Sequence, residues 1–203
     1  MSGRRRVMAH DHANHHVHGH GGSPTQVLME EHELILAALE ALGKKLTTLE
    51  EPRVADRAYF EKAVDFLKNF ADKCHHGKEE ELLFKKMVER GFPREGGPIA
   101  VMLSEHQAGR AFIRGLAEGA AKIGSDPKAG DQIRHNGWGY IELLRNHIAK
   151  ENTVLFPMAD RVLAPEDQRE LTHAFDKFEQ EETGAGVHER MLALLEELKA
   201  GAD

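Results

Sequence analysis

The stretch HHGKEEELLF at residues 75–84 returns as HIAKENTVLF at residues 147–156. Each copy contains a His-x-x-x-Glu motif, with a Leu-Phe pair shortly after it. The alignment superimposes His75 on His147 and Glu79 on Glu151. It therefore selects His75, rather than the adjacent His76, as the first member of the motif. Because residues four apart share one face of an α-helix, each pair can bind a metal ion from a single helix.

A shorter Glu-His motif precedes each copy, as Glu31-His32 in the first half and as Glu105-His106 in the second. The separation between the lone histidine and the His-x-x-x-Glu motif is nearly equal in the two halves. The chain therefore has the pattern of a duplicated helix pair with a pseudo-two-fold axis. In an antiparallel bundle, side chains from all four helices can meet at one depth. The candidate metal ligands are His32, His75, Glu79, His106, His147 and Glu151.

A single His-x-x-x-Glu motif is usually a solvated pair on a helix surface. Two matched copies inside apolar stripes fit that explanation poorly, since buried imidazoles without partners are costly. Metal coordination supplies the partners. Glu31 and Glu105 are rotated off the metal face, and we expect them to form salt bridges or contacts with the ligand imidazoles.

The rest of the chain has helical periodicity, with apolar residues recurring at three- and four-residue steps. The first predicted helix begins near Ser23-Pro24 and is broken at residues 50–52. Further helices are predicted at about residues 56–90, 98–123 and 129–163, with Pro157 bending or ending the last one. A fifth segment, interrupted near Gly184 and Gly186, runs from Pro165 to about Lys199. No segment has the pattern of a strand, which predicts an all-α, up-down-up-down four-helix bundle.

Three regions follow from this pattern. Residues 1–22 contain six histidines, several glycines and little apolar content, which predicts a disordered tail. The bundle is predicted at residues 23–163, and a C-terminal helical extension at residues 164–203. The histidines of the tail could bind nickel, zinc or copper as a separate metal-acquisition segment.

Composition excludes several functional classes. The formal net charge is −7, so nucleic-acid binding has no electrostatic support. Cys74 is the only cysteine, which rules out an internal disulfide and fits a reducing compartment. We expect it to pack rather than to bind metal. No apolar run is long enough to span a bilayer, and we expect a cytoplasmic protein without a membrane partner.

The paired motifs resemble those of the hemerythrin-like (HHE cation-binding) family over roughly residues 25–160. The resemblance implies a four-helix bundle with an oxo- or hydroxo-bridged di-iron centre. It also implies binding, sensing or processing of oxygen, nitric oxide, peroxide or iron. The resemblance implies that the six candidate residues named above are the metal ligands. Manganese is an alternative to iron, since it also suits histidine and glutamate ligands.

This sequence departs from the oxygen-carrying hemerythrins in two places. Those proteins have a His-x-x-x-His pair on the third helix, but Arg110 stands four residues after His106. They have His-x-x-x-x-Asp on the fourth helix, but Asn152 stands five residues after His147, and Glu151 takes the carboxylate role. The site is thus one histidine short, which leaves about two positions open on two six-coordinate metals and favours reactivity over oxygen storage.

Four functions remain open from the sequence. The first is a di-iron protein that binds or senses dioxygen, nitric oxide or peroxide. The second is a small oxidoreductase that decomposes peroxide, and the third is a structural or interaction bundle without metal. The fourth is a protein of metal-ion binding or homeostasis. His188 is a possible additional ligand, with a surface position as the alternative. His76, His135 and His173 have no repeat partner and are expected on the solvated surface.

Overall fold

The computed structural model describes residues 22–184 and 186–202, and none of these residues forms a strand. Four antiparallel rods make up the bundle. The first rod is α1 (Pro24–Thr48), and the third rod is α4 (Pro98–Ala121). The second rod comprises α2 (Val54–Phe66), π-helical turns at Leu67–His76 and Glu79–Leu83, and α3 (Phe84–Glu89). The fourth rod comprises α5 (Ala129–Lys150), a π-helical turn at Glu151–Leu155, and α6 (Phe156–Val162).

Local sequence signals fix the ends of the rods. The Ser23 hydroxyl accepts a hydrogen bond from the backbone N–H of Gln26 at 3.3 Å, and Pro24 occupies the first turn of α1. Gly91 ends the second rod with φ of 95°, a backbone conformation that favours glycine. In the fourth rod, regular α-helical geometry ends at Lys150 and resumes at Phe156, so the irregularity lies just ahead of Pro157, near the position where the sequence predicted it.

The C-terminal extension covers one side of the bundle. It consists of α7 (Pro165–Phe178), a π-helical turn at Glu179–Thr183, and α8 (Val187–Ala200). The first and second rods contact each other little, whereas α8 contacts both of them. The extension therefore fills the groove between these two rods. The all-α bundle with an added helical segment is confirmed, while the domain boundaries remain a prediction.

The apolar interior of the bundle is divided into two layers. One layer includes Ile35, Leu39, Phe70 and Ile148 together with residues of α8. The other includes Leu28 and the two Leu-Phe pairs of the repeat, together with residues of α7. The predicted ligand positions lie between these layers along every rod. Burial of apolar surface on both sides thus holds a polar cluster at the middle of the bundle.

Some predictions concern parts of the chain that the structure does not describe. The tail lies outside the described residues except for Gly22, and so does the side chain of His188. His135 and His173 are exposed, as predicted.

Among the described helices, none combines the length and the apolar character needed to cross a lipid bilayer.

Candidate metal centre

The structure brings all six predicted ligand side chains together in the middle of the bundle. Each of them is buried, with an exposed fraction of 1% or less. Glu151 lies between two histidines, with Oε2 3.2 Å from His32 Nε2 and Oε1 3.2 Å from His147 Nε2. Glu79 is placed in the same way, with Oε1 3.6 Å from His75 Nε2 and Oε2 3.4 Å from His106 Nε2. Each carboxylate therefore directs one oxygen to each half of the cluster.

The atoms that face the centre fit a cation better than they fit one another. Both carboxylate oxygens of Glu79 and of Glu151 are buried without a well-formed hydrogen bond to any described residue, and so is Nε2 of His32 and of His75. Two further nitrogens, Nε2 of His106 and Nε2 of His147, face each other at 3.1 Å. Leaving this many buried polar atoms unpaired is costly. Coordination to metal ions would satisfy all of them, and nitrogen and carboxylate donors suit iron or manganese.

The outer nitrogens of His75 and His147 contact the glutamates that precede the two lone histidines in the sequence. His75 Nδ1 lies 2.8 Å from Glu31 Oε2, and His147 Nδ1 lies 2.9 Å from Glu105 Oε2. The structure shows the predicted contact of these two glutamates with imidazoles of the candidate ligands. Lys78 donates a hydrogen bond to Glu31, and Lys150 donates one to Glu105. These contacts fix the orientation of the rings and raise their basicity toward a metal.

The lone histidines are oriented from the opposite half of the repeat. His32 Nδ1 lies 2.7 Å from Asn152 Oδ1, and His106 Nδ1 lies 2.7 Å from Glu80 Oε1. Asn152 and Glu80 are equivalent in the repeat alignment. The Leu-Phe pairs obey the same symmetry, since the Phe156 ring stacks on His32 and the Phe84 ring stacks on His106. The duplication seen in the sequence thus extends to the Nδ1 partners and the stacked phenylalanines of the two lone histidines.

His76 is the clearest error of the sequence prediction, because it is buried at 3% exposure instead of lying on the solvated surface. Its ring stacks on that of His106 with 3.9 Å between the centroids. It falls in the π-helical segment Leu67–His76. Adjacent side chains of an α-helix point about 100° apart. The wider π-helical turn rotates less per residue, so His75 and His76 both face the interior. The repeat offered a signal, since the aligned residue, Ile148, is apolar and therefore marks a buried position.

Arg110, which stands where oxygen carriers have a histidine, forms ion pairs instead of facing the centre. Its Nε donates to Asp72 Oδ1 and its Nη2 donates to Glu80 Oε1, both at 2.8 Å. Burial raises the pKa of Asp72, and the nearby Arg110 guanidinium offsets part of this rise. Arg110 therefore holds two acidic side chains that in turn contact His76 and His106.

Ion pairing and burial shift the pKa values of groups next to the centre. Burial alone would raise the pKa of Glu31, but the Lys78 ammonium and the hydrogen bond with His75 lower it to about 2. Burial raises the pKa of the Cys74 thiol to about 12. The thiol is therefore neutral and buried, and the packing role expected for Cys74 remains a prediction.

A comparison with protein families matches residues 23–159 to the hemerythrin HHE cation-binding domain. The chain belongs to the hemerythrin HHE cation-binding family. Within that family fold, the buried histidine–carboxylate cluster is able to hold a metal ion, and the family assignment made from the motifs is confirmed. Which side chains bind each ion remains a prediction.

Known relatives of this hemerythrin-like chain match it over part of their length. An uncharacterized protein of Mycobacterium tuberculosis, Rv1995, is 25% identical over 158 residues, which cover 77% of this chain and 61% of that protein. The iron-sulfur cluster repair protein YtfE of Salmonella newport is 36% identical over 89 residues. That match covers 42% of this chain and 40% of YtfE.

The glutamate contacts lead to a testable expectation for this hemerythrin-like chain. Glu105→Ala removes the acceptor from His147 Nδ1, so we expect metal affinity to fall by about 10- to 100-fold. A metal titration with a competing chelator measures the change. Glu118→Ala, an exposed position on the same helix, is the control and should leave affinity unchanged. Equal affinities for Glu105→Ala and the control would mean that this carboxylate does not support a ligand.

Proposed function

We propose that the protein holds a carboxylate-bridged di-iron centre that takes up dioxygen, nitric oxide or peroxide. The observation that carries this proposal is the placement of Glu79 and Glu151, each with one oxygen toward each half of the buried cluster. That is the arrangement by which a carboxylate bridges two metal ions in a helical bundle. The proposed ligands are His32, His75, Glu79, His106, His147 and Glu151.

The surroundings of the centre favour a small ligand over an organic substrate. The centre lies between two apolar layers, and each proposed ligand is almost completely inaccessible to solvent. Only molecules of a few atoms can reach such a position without a large opening of the bundle. Bound iron would supply reversible redox chemistry and open coordination positions. The protein would supply a dry environment and fixed imidazoles.

The test begins with the metal content of the full chain purified without chelators. We expect about two irons per chain, as di-iron sites in bundles require. We also expect the ultraviolet–visible spectrum of an initially anaerobic, reduced sample to change when nitric oxide, dioxygen or peroxide is added. Peroxide loss with oxygen release over many turnovers would instead make the protein a peroxide-decomposing oxidoreductase. Iron-free protein that also fails to bind added Fe(II) would refute the proposal.

Iron supply is a second candidate function, which the likeness to the iron-sulfur cluster repair protein YtfE favours. In this case the bound iron is cargo, and its release matters more than ligand binding. Mixing the iron-loaded protein with an apo iron-sulfur protein, sulfide and a reductant should then rebuild the cluster faster than free Fe(II) at the same concentration. Equal rates would exclude this role.

A further inference from the structure

Resting on the proposed di-iron centre, we infer that His76 is a fifth histidine ligand and that it binds only one of the two metals. The two metal positions then differ in their protein ligands. One ion is held by His76, His106 and His147, and the other by His32 and His75. Glu79 and Glu151 lie between them.

The position of the His76 ring carries the inference. Its ligand atom lies within 4.8 Å of those of Glu79, His106 and His147. The ligand atoms of a second group, formed by His32, His75, Glu79 and Glu151, likewise lie within 4.8 Å of one another. The two groups share Glu79, as expected for two neighbouring ions with a carboxylate between them. His76 belongs only to the first group.

The two nitrogens of His76 are arranged like those of the other four histidines, although its outer contact is longer. Its Nε2 is buried and has no hydrogen-bond partner among the described residues. Its Nδ1 faces a carboxylate, Asp72 Oδ1, at 3.5 Å. The other four rings likewise direct Nε2 inward and hold Nδ1 against Glu31, Glu80, Glu105 or Asn152. An outer acceptor of this kind is the usual support of a metal-bound imidazole.

The repeat explains why only one metal gains this ligand. The residue equivalent to His76 in the second half is Ile148, which is buried and has no donor atom. Asp72 is likewise aligned with Leu144, so the outer support is absent on that side too. The pseudo-two-fold symmetry of the centre is broken at these two positions. The ion between His32 and His75 consequently has fewer protein ligands, and an incoming small molecule should bind there.

The decisive variant is His76→Ile, because it copies the residue that the fold already accommodates at the equivalent position. We expect it to lower the affinity for one of the two ions by at least about 10- to 100-fold, the cost of losing only a group that supports a ligand, and to leave the other ion nearly unchanged. In Mössbauer spectra of protein loaded with iron-57, we expect two quadrupole doublets of equal area for the wild type. These doublets should converge in the variant, where the two ions have matching ligands.

His135→Ala removes an exposed histidine and serves as the control. Circular dichroism of the metal-free variants confirms that the bundle is retained, and His76→Gln repeats the test if His76→Ile unfolds. A wild type that binds two irons, together with a His76 variant of unchanged affinity and spectrum, would overturn the inference and leave the proposed function intact. A wild type that binds no metal would refute the proposed function itself.

Discussion

Replacing Glu151 by alanine is expected to reduce the bound metal from about two ions per chain to about one or fewer, because in the proposed di-iron centre this carboxylate is shared by both ions. Oε2 of Glu151 lies 3.2 Å from His32 Nε2, and Oε1 lies 3.2 Å from His147 Nε2. The substitution should therefore weaken metal binding in both halves of the centre. Elemental analysis of protein reconstituted with excess Fe(II) and then desalted measures the loss.

The control for this experiment is Glu142→Ala, an exposed glutamate on the same rod. It should retain full metal content. Glu79→Ala should reproduce the effect of Glu151→Ala, since its oxygens are placed in the same way on the other side of the cluster. If either variant retained two tightly bound ions, that glutamate would not bridge them.

A second large effect is expected at Lys78, whose side chain is only 1% exposed although it carries a charge. It is paired with Glu31 and lies 3.5 Å from Glu179. Lys78→Met leaves Glu31 buried without its ammonium partner, which typically costs about 3–5 kcal/mol of folding stability. Urea unfolding of the metal-free protein measures the difference.

The repeat supplies a matched control at Lys150. It pairs with Glu105 as Lys78 pairs with Glu31, but its side chain is 42% exposed. Solvent screens such a pair, so Lys150→Met should cost at most about 1 kcal/mol. The double variant Lys78→Met/Glu31→Gln should recover much of the loss, since no unpaired charge remains. Equal losses for Lys78→Met and Lys150→Met would show that burial does not decide the strength of these pairs.

The stability difference at Lys78 should also depend on pH. The folded-state pKa of Glu31 is lowered to about 2 from an ordinary value of 4.5. A lowered carboxylate pKa contributes stability that is fully present above about pH 4.5 and is lost as the pH falls toward 2. The difference in unfolding free energy between wild type and Lys78→Met should therefore narrow as the pH falls. The narrowing should begin above pH 4.5, because burial without the ammonium raises the pKa of Glu31 in the variant. A gap that widened with acid would contradict this assignment.

The symmetric part of the centre could be predicted from the sequence because its geometry is local. Residues four apart share a helix face, so His75 with Glu79 and His147 with Glu151 are paired before any packing is known. The duplication then relates the two halves, and the matched separations place the lone histidines at the same depth. Binary patterning along four helices was sufficient to predict the bundle around them.

Only the tertiary structure decided the features that distinguish the two halves. Whether His76 faces the interior depends on a π-helical turn, and helical periodicity assumes α-helical spacing throughout. Lys78 and Lys150 are equivalent in sequence, but Lys78 is buried beside Glu31 and Glu179 whereas Lys150 is only half-buried. Arg110 turns from the centre toward Asp72 and Glu80, which a different rod contributes. The repeated sequence determined which side chains meet, and long-range packing, which local spacing does not encode, determined how the two halves differ.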